Sequence, residues 1–143
     1  MPHMPWYFSA FPGHFICAEK CRFHLNTRIG PYRVSSVGDY HPSDADGKPQ
    51  PIGNGRLFET MVFRLTGNGL GGDPNDPPEG IMANAREIAA KGYNDSREAE
   101  AGHYALCQRF DAIAWGELTA HERALAVRLR DQGPCLPTQD ADS

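Results

Sequence analysis

The sequence contains no long apolar run. No stretch reaches about 18 consecutive apolar residues, which is roughly what a membrane-spanning helix requires. The apolar stretch at residues 1–17 has no basic segment before it and is interrupted by prolines, so it does not resemble a secretion signal. Cysteine is scarce, at four in 143 residues, and without such a signal cysteines are typical of thiols or metal ligands rather than disulfides. These absences predict a cytoplasmic protein.

The sequence also lacks the short motifs of common catalytic sites. It has no HExxH pair, no nucleotide-binding fingerprint and no Ser-His-Asp order of a known hydrolase. The glycines of residues 66–80 are not followed by Lys-Ser or Lys-Thr at the start of a helix, so this stretch is predicted to be a connector and not a phosphate-binding loop. The net charge of −4 argues against a general nucleic-acid binder.

Positive charge is concentrated near the N-terminus. Residues 1–36 carry four basic residues and one acidic residue, whereas residues 37–143 carry ten basic and 17 acidic residues. Ordinary solvated surface explains such an imbalance, and the alternative is a basic face that meets an anion or an acidic partner.

Aromatic residues crowd the same end of the chain. Prolines exclude a long helix over residues 1–16, so the sequence predicts an extended segment or a short edge strand whose rings pack on the core. An exposed aromatic patch for a partner is the alternative. Combined with the basic residues, this gives six candidate partner-binding residues: Trp6, Tyr7, Phe8, Arg22, Arg28 and Arg33.

Hydrophobic periodicity predicts an α+β fold, with a small antiparallel sheet packed by one or two C-terminal helices. Strands are expected near 32–37 and 56–65, and the second has apolar residues on both faces, which predicts a strand covered on both sides. The stretch 17–25 is expected to form a helical turn or a metal knuckle. Residues 38–55 have turn composition throughout and are expected to form a long loop.

Helices are expected in the C-terminal half. The main one is predicted over 96–113, capped by Asp95 or Ser96, with Asp111 on its outward stripe. Thr119 and Glu122 form a capping box for a last helix over 119–131. A short helix is also expected within 81–93, ended by Gly92.

The length predicts a single domain over residues 1–133, made of an aromatic segment over 1–16 and a core over 17–131, with a mobile tail over 134–143. The sequence holds 15 glycines and 12 prolines, which indicates many turns. Because a domain of this size gains limited stability from burial, an additional cross-link would help.

Two Cys/His pairs have the spacing of metal ligands. Cys21 and His24 are three residues apart, and His103 and Cys107 are four apart, which places them on the same side of the predicted helix. Two thiolates and two imidazoles form the tetrahedral ligand set of structural zinc. The sequence therefore predicts a zinc ion that joins the N-terminal segment to this helix.

Two other interpretations of these residues stay open. Cys17 or His14 could replace one of the four ligands. The four residues could also be unrelated core residues without a metal, since a free cysteine behaves as a small apolar side chain.

Four short motifs, CRFH, YRVSSVG, GRLFETMVF and GYN…GHYALC, resemble a family. The segments CRFHLNTRIGPYRVSSVGDYHP, IGNGRLFETMVFRL and GYNDSREAEAGHYALCQRF, within residues 21–110, are similar in order and content to uncharacterised small proteins of tailed bacteriophages. The resemblance implies that the framework residues are Cys21, His24, Arg56, Glu59, Thr60, His103 and Cys107. Relatives often carry extra cysteines in the loop that matches 66–80, where this chain has none, so a second metal is not expected. The family has no established activity to carry over.

The expected function is that of a small phage-encoded, zinc-stabilised accessory protein in the cytoplasm of the bacterial host. It would act by binding a host or phage macromolecule, most simply a protein, for example as an inhibitor of a defence or regulatory complex. The alternatives are a nucleic-acid-binding zinc module that uses the basic N-terminal face, and a small zinc enzyme with Glu59 as its base.

Overall fold

The described part of the chain forms a five-stranded antiparallel sheet and two helices that follow it in the sequence. The computed structural model describes residues 4–8, 20–42, 47–52, 55–64 and 86–132. The strands are β1 (Trp6–Phe8), β2 (Cys21–Ile29), β3 (Tyr32–Tyr40), β4 (Phe58–Arg64) and β5 (Arg86–Tyr93), and the helices are α1 (Ser96–Gly116) and α2 (Ala120–Gln132). The predicted α+β class is confirmed.

The strands lie in the sheet in chain order, and every neighbouring pair is antiparallel. The turn between β2 and β3 uses Gly30, whose φ of 57° is in the left-handed region that favours glycine, and Pro31. Ile29 and Tyr32 lie directly opposite each other at this turn. The short Gly-Pro connection therefore sets which residues of β2 lie beside which residues of β3.

Both predicted helix starts are confirmed. The Asp95 carboxylate accepts a hydrogen bond from the backbone N–H of Arg97 at 2.7 Å and caps α1. At the start of α2, the N–H of Thr119 donates to the Glu122 carboxylate at 2.8 Å, and the N–H of Glu122 donates to the Thr119 hydroxyl at 3.1 Å. These reciprocal bonds are the capping box that the sequence predicts.

Two stretches form strands where the sequence predicts other structure. The turn or knuckle expected over 17–25 is wrong from Cys21 onward, because these residues pair with β3. The short helix expected within 81–93 is wrong over 86–93, which pairs with β4 along its length. Tertiary pairing overrides local preference in both places, since the alanines of β5 favour a helix in isolation.

One face of the sheet packs against the helices. Ile29, Val34 and Val62 come from three adjacent strands and are completely buried on this face. Phe110 and Ala114 of α1 pack against them in the same core. The core is completed by Met4, Trp6, Tyr32, Cys107, Leu118 and Ala126. The N-terminal strand and both helices are therefore joined to the sheet through one apolar cluster.

The opposite face of the sheet is also buried near the β2–β3 turn. Phe63 lies on this face and is buried, whereas its neighbour Val62 is buried on the helix side. The predicted burial of β4 on both sides is therefore confirmed at this point. Polar side chains share the buried part of this face, namely Asn26, Arg28, Arg33 and Ser35.

Two glycines of the motifs make room for aromatic rings. Gly38 of β3 lies beside the Phe58 ring of β4, and a β-carbon at this position would overlap that ring. A β-carbon at Gly102 of α1 would overlap the Tyr93 side chain of β5 in the same way. The close approach of β3 to the Phe58 ring of β4, and of α1 to the Tyr93 side chain of β5, therefore requires glycine.

Candidate functional site

His103 is the centre of a buried polar network between α1 and the sheet. Its side chain has no solvent exposure. Nε2 lies 2.9 Å from the hydroxyl of Thr27, and Nδ1 lies 2.7 Å from the hydroxyl of Ser36. The Ser36 hydroxyl lies 2.6 Å from that of Thr60. One helix and three strands, β2, β3 and β4, are therefore joined by one hydrogen-bond network that has this ring at its centre.

The network requires a neutral imidazole. Burial lowers the pKa of His103 from its usual 6.5 to about 4, so the ring is uncharged near neutral pH. A neutral ring has one N–H donor and one acceptor nitrogen, and a hydroxyl can serve either role. Thr27 and Ser36 therefore satisfy both nitrogens, and neither nitrogen is available to a metal ion in this arrangement.

Cys107 and Asp111 lie on the same buried side of α1 as His103, further towards the C-terminal end of the helix. The Asp111 carboxylate accepts hydrogen bonds from the backbone N–H of Met4 at 3.1 Å and from the indole N–H of Trp6 at 2.7 Å. The predicted outward position of Asp111 is wrong, because a residue four positions after Cys107 lies on the same side of a helix. The spacing from Cys107 is the signal that places Asp111 on the buried side of the helix. Its two hydrogen bonds then anchor the N-terminal strand.

The Cys107 thiol is chemically inert in this setting. It is completely buried, it is free, and burial raises its pKa to about 12. Because the thiolate is the nucleophile and the metal-binding form of cysteine, this side chain acts as an apolar core group near neutral pH.

The two predicted metal half-sites lie apart. Residues three apart in a strand point to opposite faces, so Cys21 and His24 do not converge as they would in a turn. Thr27, which contacts His103, is six residues from Cys21, or about 20 Å along the strand. His24 is exposed on the face away from the helix. Cys21 is buried and disulfide-bonded, so it offers no thiolate, and the expectation of thiols or metal ligands rather than disulfides is wrong at this residue.

Within the described residues, no group of three or more His, Cys, Asp and Glu side chains is placed to hold a metal ion. The alternative ligands Cys17 and His14, and the tail over 134–143, lie outside these residues. A zinc ion bound by Cys21, His24, His103 and Cys107 therefore stays a prediction of the sequence.

The six candidate partner-binding residues have different environments. Trp6 is buried and bonded to Asp111, and Arg28 and Arg33 are buried on the sheet face opposite the helices. Tyr7 and Phe8 are half-buried, with Phe8 against the core, and Arg22 is exposed. The edge strand that the sequence predicts for residues 1–16 is confirmed over Trp6–Phe8.

Arg22 belongs to a row of exposed basic groups at the start of β2. Lys20, Arg22 and His24 occupy alternate positions, and all three side chains are exposed. Within the described part of the chain, none of these three side chains forms an ion pair or a hydrogen bond. Successive members are about 7 Å apart, since a strand rises about 3.3 Å per residue. We call these three residues the basic strip.

His41 supports the strand beside the basic strip. The residue is 5% exposed. Its Nε2 atom lies 2.8 Å from the Asp39 carboxylate, and its backbone N–H donates to the carbonyl of Lys20 at 2.8 Å. Asp39 has a φ of 54°, which is uncommon outside glycine. The backbone hydrogen bond of His41 therefore joins the end of β3 to Lys20, the first residue of the basic strip.

The remaining framework residues do not form a cluster of reactive groups. Arg56 is exposed, and Thr60 is buried in the His103 network. Glu59 is half-buried on the face away from the helices, and burial, followed by repulsion from Glu87, raises the pKa of its carboxyl.

Comparison of the chain with protein-family models, with curated proteins and with solved structures found no match in any of the three. In the described part of the chain, neither helix combines the length and apolar composition of a membrane span.

Proposed function

We propose that this chain is a small accessory protein that acts by binding a macromolecule, and that the basic strip is its contact surface. The proposed setting is the cytoplasm of a bacterial host, in keeping with the resemblance of residues 21–110 to tailed-phage proteins. The proposed partner is a protein with an acidic surface, such as a component of a defence or regulatory complex.

The observation that carries this proposal is the exposure of the basic strip. Lys20 and Arg22 carry positive charge on a chain whose net charge is −4, and His24 adds a ring with hydrogen-bonding nitrogens. Charged groups on a strand surface that have no partner in the described part of the chain can meet complementary charge without first breaking an internal bond.

The different positions of the motif residues support the same function. The junction of α1 with the sheet buries four of them, where no substrate reaches them: Ser36, Thr60, His103 and Cys107. Their chemistry is used to hold the helix on the sheet. Recognition is then assigned to exposed residues of the same motifs, of which Arg22 and His24 are adjacent on one strand.

The test compares two charge-reversed proteins as baits in a bacterial lysate. The first protein carries Lys20→Glu and Arg22→Glu, which reverse the charge of the basic strip. The second carries Arg97→Glu and Arg128→Glu, which change the net charge by the same amount at exposed positions of the two helices. We expect a species that binds the wild-type and helix-reversed baits and is lost from the strip-reversed bait. Equal capture by all three baits would contradict the proposal.

Salt dependence of binding and nuclease treatment of the lysate distinguish the proposed protein partner from the nucleic-acid alternative. A protein that binds phosphates through Lys and Arg loses affinity steeply as salt increases. We expect no steep salt dependence with short single-stranded and double-stranded DNA, and capture that survives nuclease treatment of the lysate. Capture that disappears after nuclease treatment would favour the nucleic-acid module instead.

A further inference from the structure

Two exposed isoleucines lie on the elements that meet at Tyr93. Among the described residues, the exposed large apolar ones are Ile88 of β5, at 39%, and Ile113 of α1, at 36%. β5 and α1 touch where the Tyr93 side chain lies against Gly102. Ile88 is five residues before Tyr93, which is about 16 Å along a strand. Ile113 is eleven residues after Gly102, which is also about 16 Å along a helix.

These two distances lead to the same end of the molecule, because β5 and α1 run in opposite directions. The Glu117 carboxylate, at the C-terminal end of α1, lies 3.5 Å from Nη1 of Arg64. Arg64 in turn lies opposite Arg86, the first residue of β5. The end of α1 is therefore close to the start of β5, and the two isoleucines lie on the same border of the fold.

One side of α1 is directed towards β5. With 3.6 residues per turn, residues four, seven and eleven positions after Gly102 lie on the side that touches Tyr93. They are Leu106, which packs against the main core, and the exposed residues Arg109 and Ile113. The β5–α1 margin is the name used below for five residues: Ile88, Lys91, Leu106, Arg109 and Ile113.

β5 lies at the edge of the described sheet. Its one neighbour among the described strands is β4. The register with β4 shifts by one residue at Ile88, which is a β-bulge on the edge strand. A bulge interrupts pairing with a second identical edge, but the regular stretch 89–93 still offers backbone N–H and C=O groups to an added extended segment.

The two charged residues of the margin are both positive. Lys91 lies opposite Thr60, which is buried in the His103 network, so its side chain projects on the helix side of the sheet. Lys91 and Arg109 are exposed, and neither forms an ion pair with another described residue. Both are therefore able to meet a carboxylate of a ligand.

Two carboxylates of the same elements lie outside the margin. Glu87 lies opposite Phe63, on the sheet face away from the helices. Glu98 lies one turn before Gly102, in the direction away from the isoleucines. The charge of the margin therefore selects an acidic ligand over a basic one.

We propose that the β5–α1 margin binds an extended segment of a partner protein, with acidic and apolar residues on one face, as an additional strand beside β5. An apolar side chain of the segment packs between Ile88 and Ile113, and a carboxylate meets Lys91. Two strands, β3 and β4, separate β5 from the strand that carries the basic strip. The inference goes beyond the proposed function and does not depend on it.

A designed peptide with this pattern is the probe. Fluorescein-labelled Thr-Glu-Thr-Val-Thr-Ile-Thr-amide places its glutamate, valine and isoleucine on one face when extended. Fluorescence anisotropy with the full chain measures its affinity. We expect saturable binding that Ile113→Glu weakens about tenfold or more, whereas Ala112→Glu, at the neighbouring exposed position of α1, changes it by less than about twofold. Absence of saturable binding up to about 1 mM protein, or equal weakening by both variants, would overturn the proposal.

Methylated peptides test the backbone pairing. The N–H groups of alternate residues point to the same side of a strand, so one peptide is N-methylated at the glutamate, valine and isoleucine and the other at the threonines. We expect one of the two to lose binding and the other to keep it within about threefold, since one side of an added strand faces β5. Equal affinities would show that the peptide does not add as a strand, against the proposal.

Charge exchange locates the binding surface. We expect Lys91→Glu to weaken the probe about fivefold or more, and a peptide with lysine in place of glutamate to restore the affinity. The Lys20→Glu, Arg22→Glu protein should bind the probe like the wild type, whatever the result of the lysate capture. Loss of binding in that protein with retention in Lys91→Glu would place the peptide on the basic strip and overturn the margin.

A second copy of this chain is the competing occupant of the margin. We expect sedimentation velocity to give a single monomeric species at all concentrations, because the bulge at Ile88 interrupts pairing between two β5 edges. A dimer that Ile113→Glu dissociates would show that the margin joins two copies and would overturn the assignment to a partner segment.

Discussion

His103 connects β2 and β3 to α1 through two hydroxyl groups, so its loss removes one hydrogen-bond partner from each of two buried hydroxyls. We expect His103→Ala to lower the free energy of unfolding by roughly 3 kcal/mol, from the cavity and the lost hydrogen bonds together. His121→Ala, at an exposed position of α2, should change it by less than about 0.5 kcal/mol. Urea denaturation measures both values.

The same pair of variants tests the zinc prediction. We expect elemental analysis to give the same metal content for the wild-type, His103→Ala and His121→Ala proteins, because both His103 nitrogens are bonded to hydroxyls. One zinc ion per wild-type chain that is lost in His103→Ala would instead support the four-residue site and would require a different arrangement of this ring.

Cys107 should react only when the protein unfolds. Its thiol is buried and has a pKa of about 12, so almost no thiolate is present near neutral pH. We expect iodoacetamide to label Cys107 in urea and to leave it unlabelled for hours in buffer, as read by peptide mass spectrometry. Labelling in buffer at the rate measured in urea would show that solvent reaches Cys107 on the buried side of α1.

The packing of α1 against β5 depends on Gly102. A β-carbon there would overlap the Tyr93 ring, and Tyr93 would have to move. We expect Gly102→Ala to destabilise the protein by roughly 1–3 kcal/mol, as overpacking generally does, although alanine favours a helix. Gly116→Ala adds a β-carbon in open space at the end of the same helix and should be neutral or stabilising. Thermal melting of both variants gives the comparison, and equal melting temperatures would contradict the close approach.

The elements that could be predicted from the sequence are those fixed by local chemistry. The cap of α1 at Asp95 and the capping box of α2 depend on residues within a few positions of one another. The apolar faces of β4 follow from alternation within one strand. β5 was not predicted, because its alanines favour a helix in isolation. Pairing with β4, which is distant in the sequence, holds them in a strand.

The candidate site was predictable in part, for a related reason. Four-residue spacing places His103 and Cys107 on one side of α1, and both are buried there. The second pair depended on a turn at Cys21 and His24, and in a strand the same spacing separates the two side chains onto opposite faces. Thr27 and Ser36, the actual partners of His103, are common polar residues that no spacing rule identifies in advance.

At the scale of the whole molecule, four secondary-structure elements converge on the His103 network. The junction of β2, β3, β4 and α1 brings together Thr27, Ser36, Thr60 and His103. Because the network is buried, it contributes to stability in a pH-dependent way that an exposed site would not show.

Stability should therefore fall as the pH is lowered from 6.5 towards 4. The unfolded chain takes up a proton at His103 with a pKa near 6.5, whereas the folded chain does so only at about 4. Between these values the unfolded state binds more protons, so acid favours unfolding, by about 3 kcal/mol in total. Above 6.5 both states are neutral at this residue, and below 4 both are protonated, so its effect is confined to this window.

Denaturation at a series of pH values, with His103→Gln for comparison, isolates this contribution from carboxyl groups that titrate nearby. Glutamine keeps a donor and an acceptor for Thr27 and Ser36 but does not titrate. We expect the loss of stability between pH 6.5 and 4 to be smaller in His103→Gln by most of the 3 kcal/mol estimated from the two pKa values. Parallel curves for the two proteins would mean that the imidazole is already protonated, or reached by water, in the folded state.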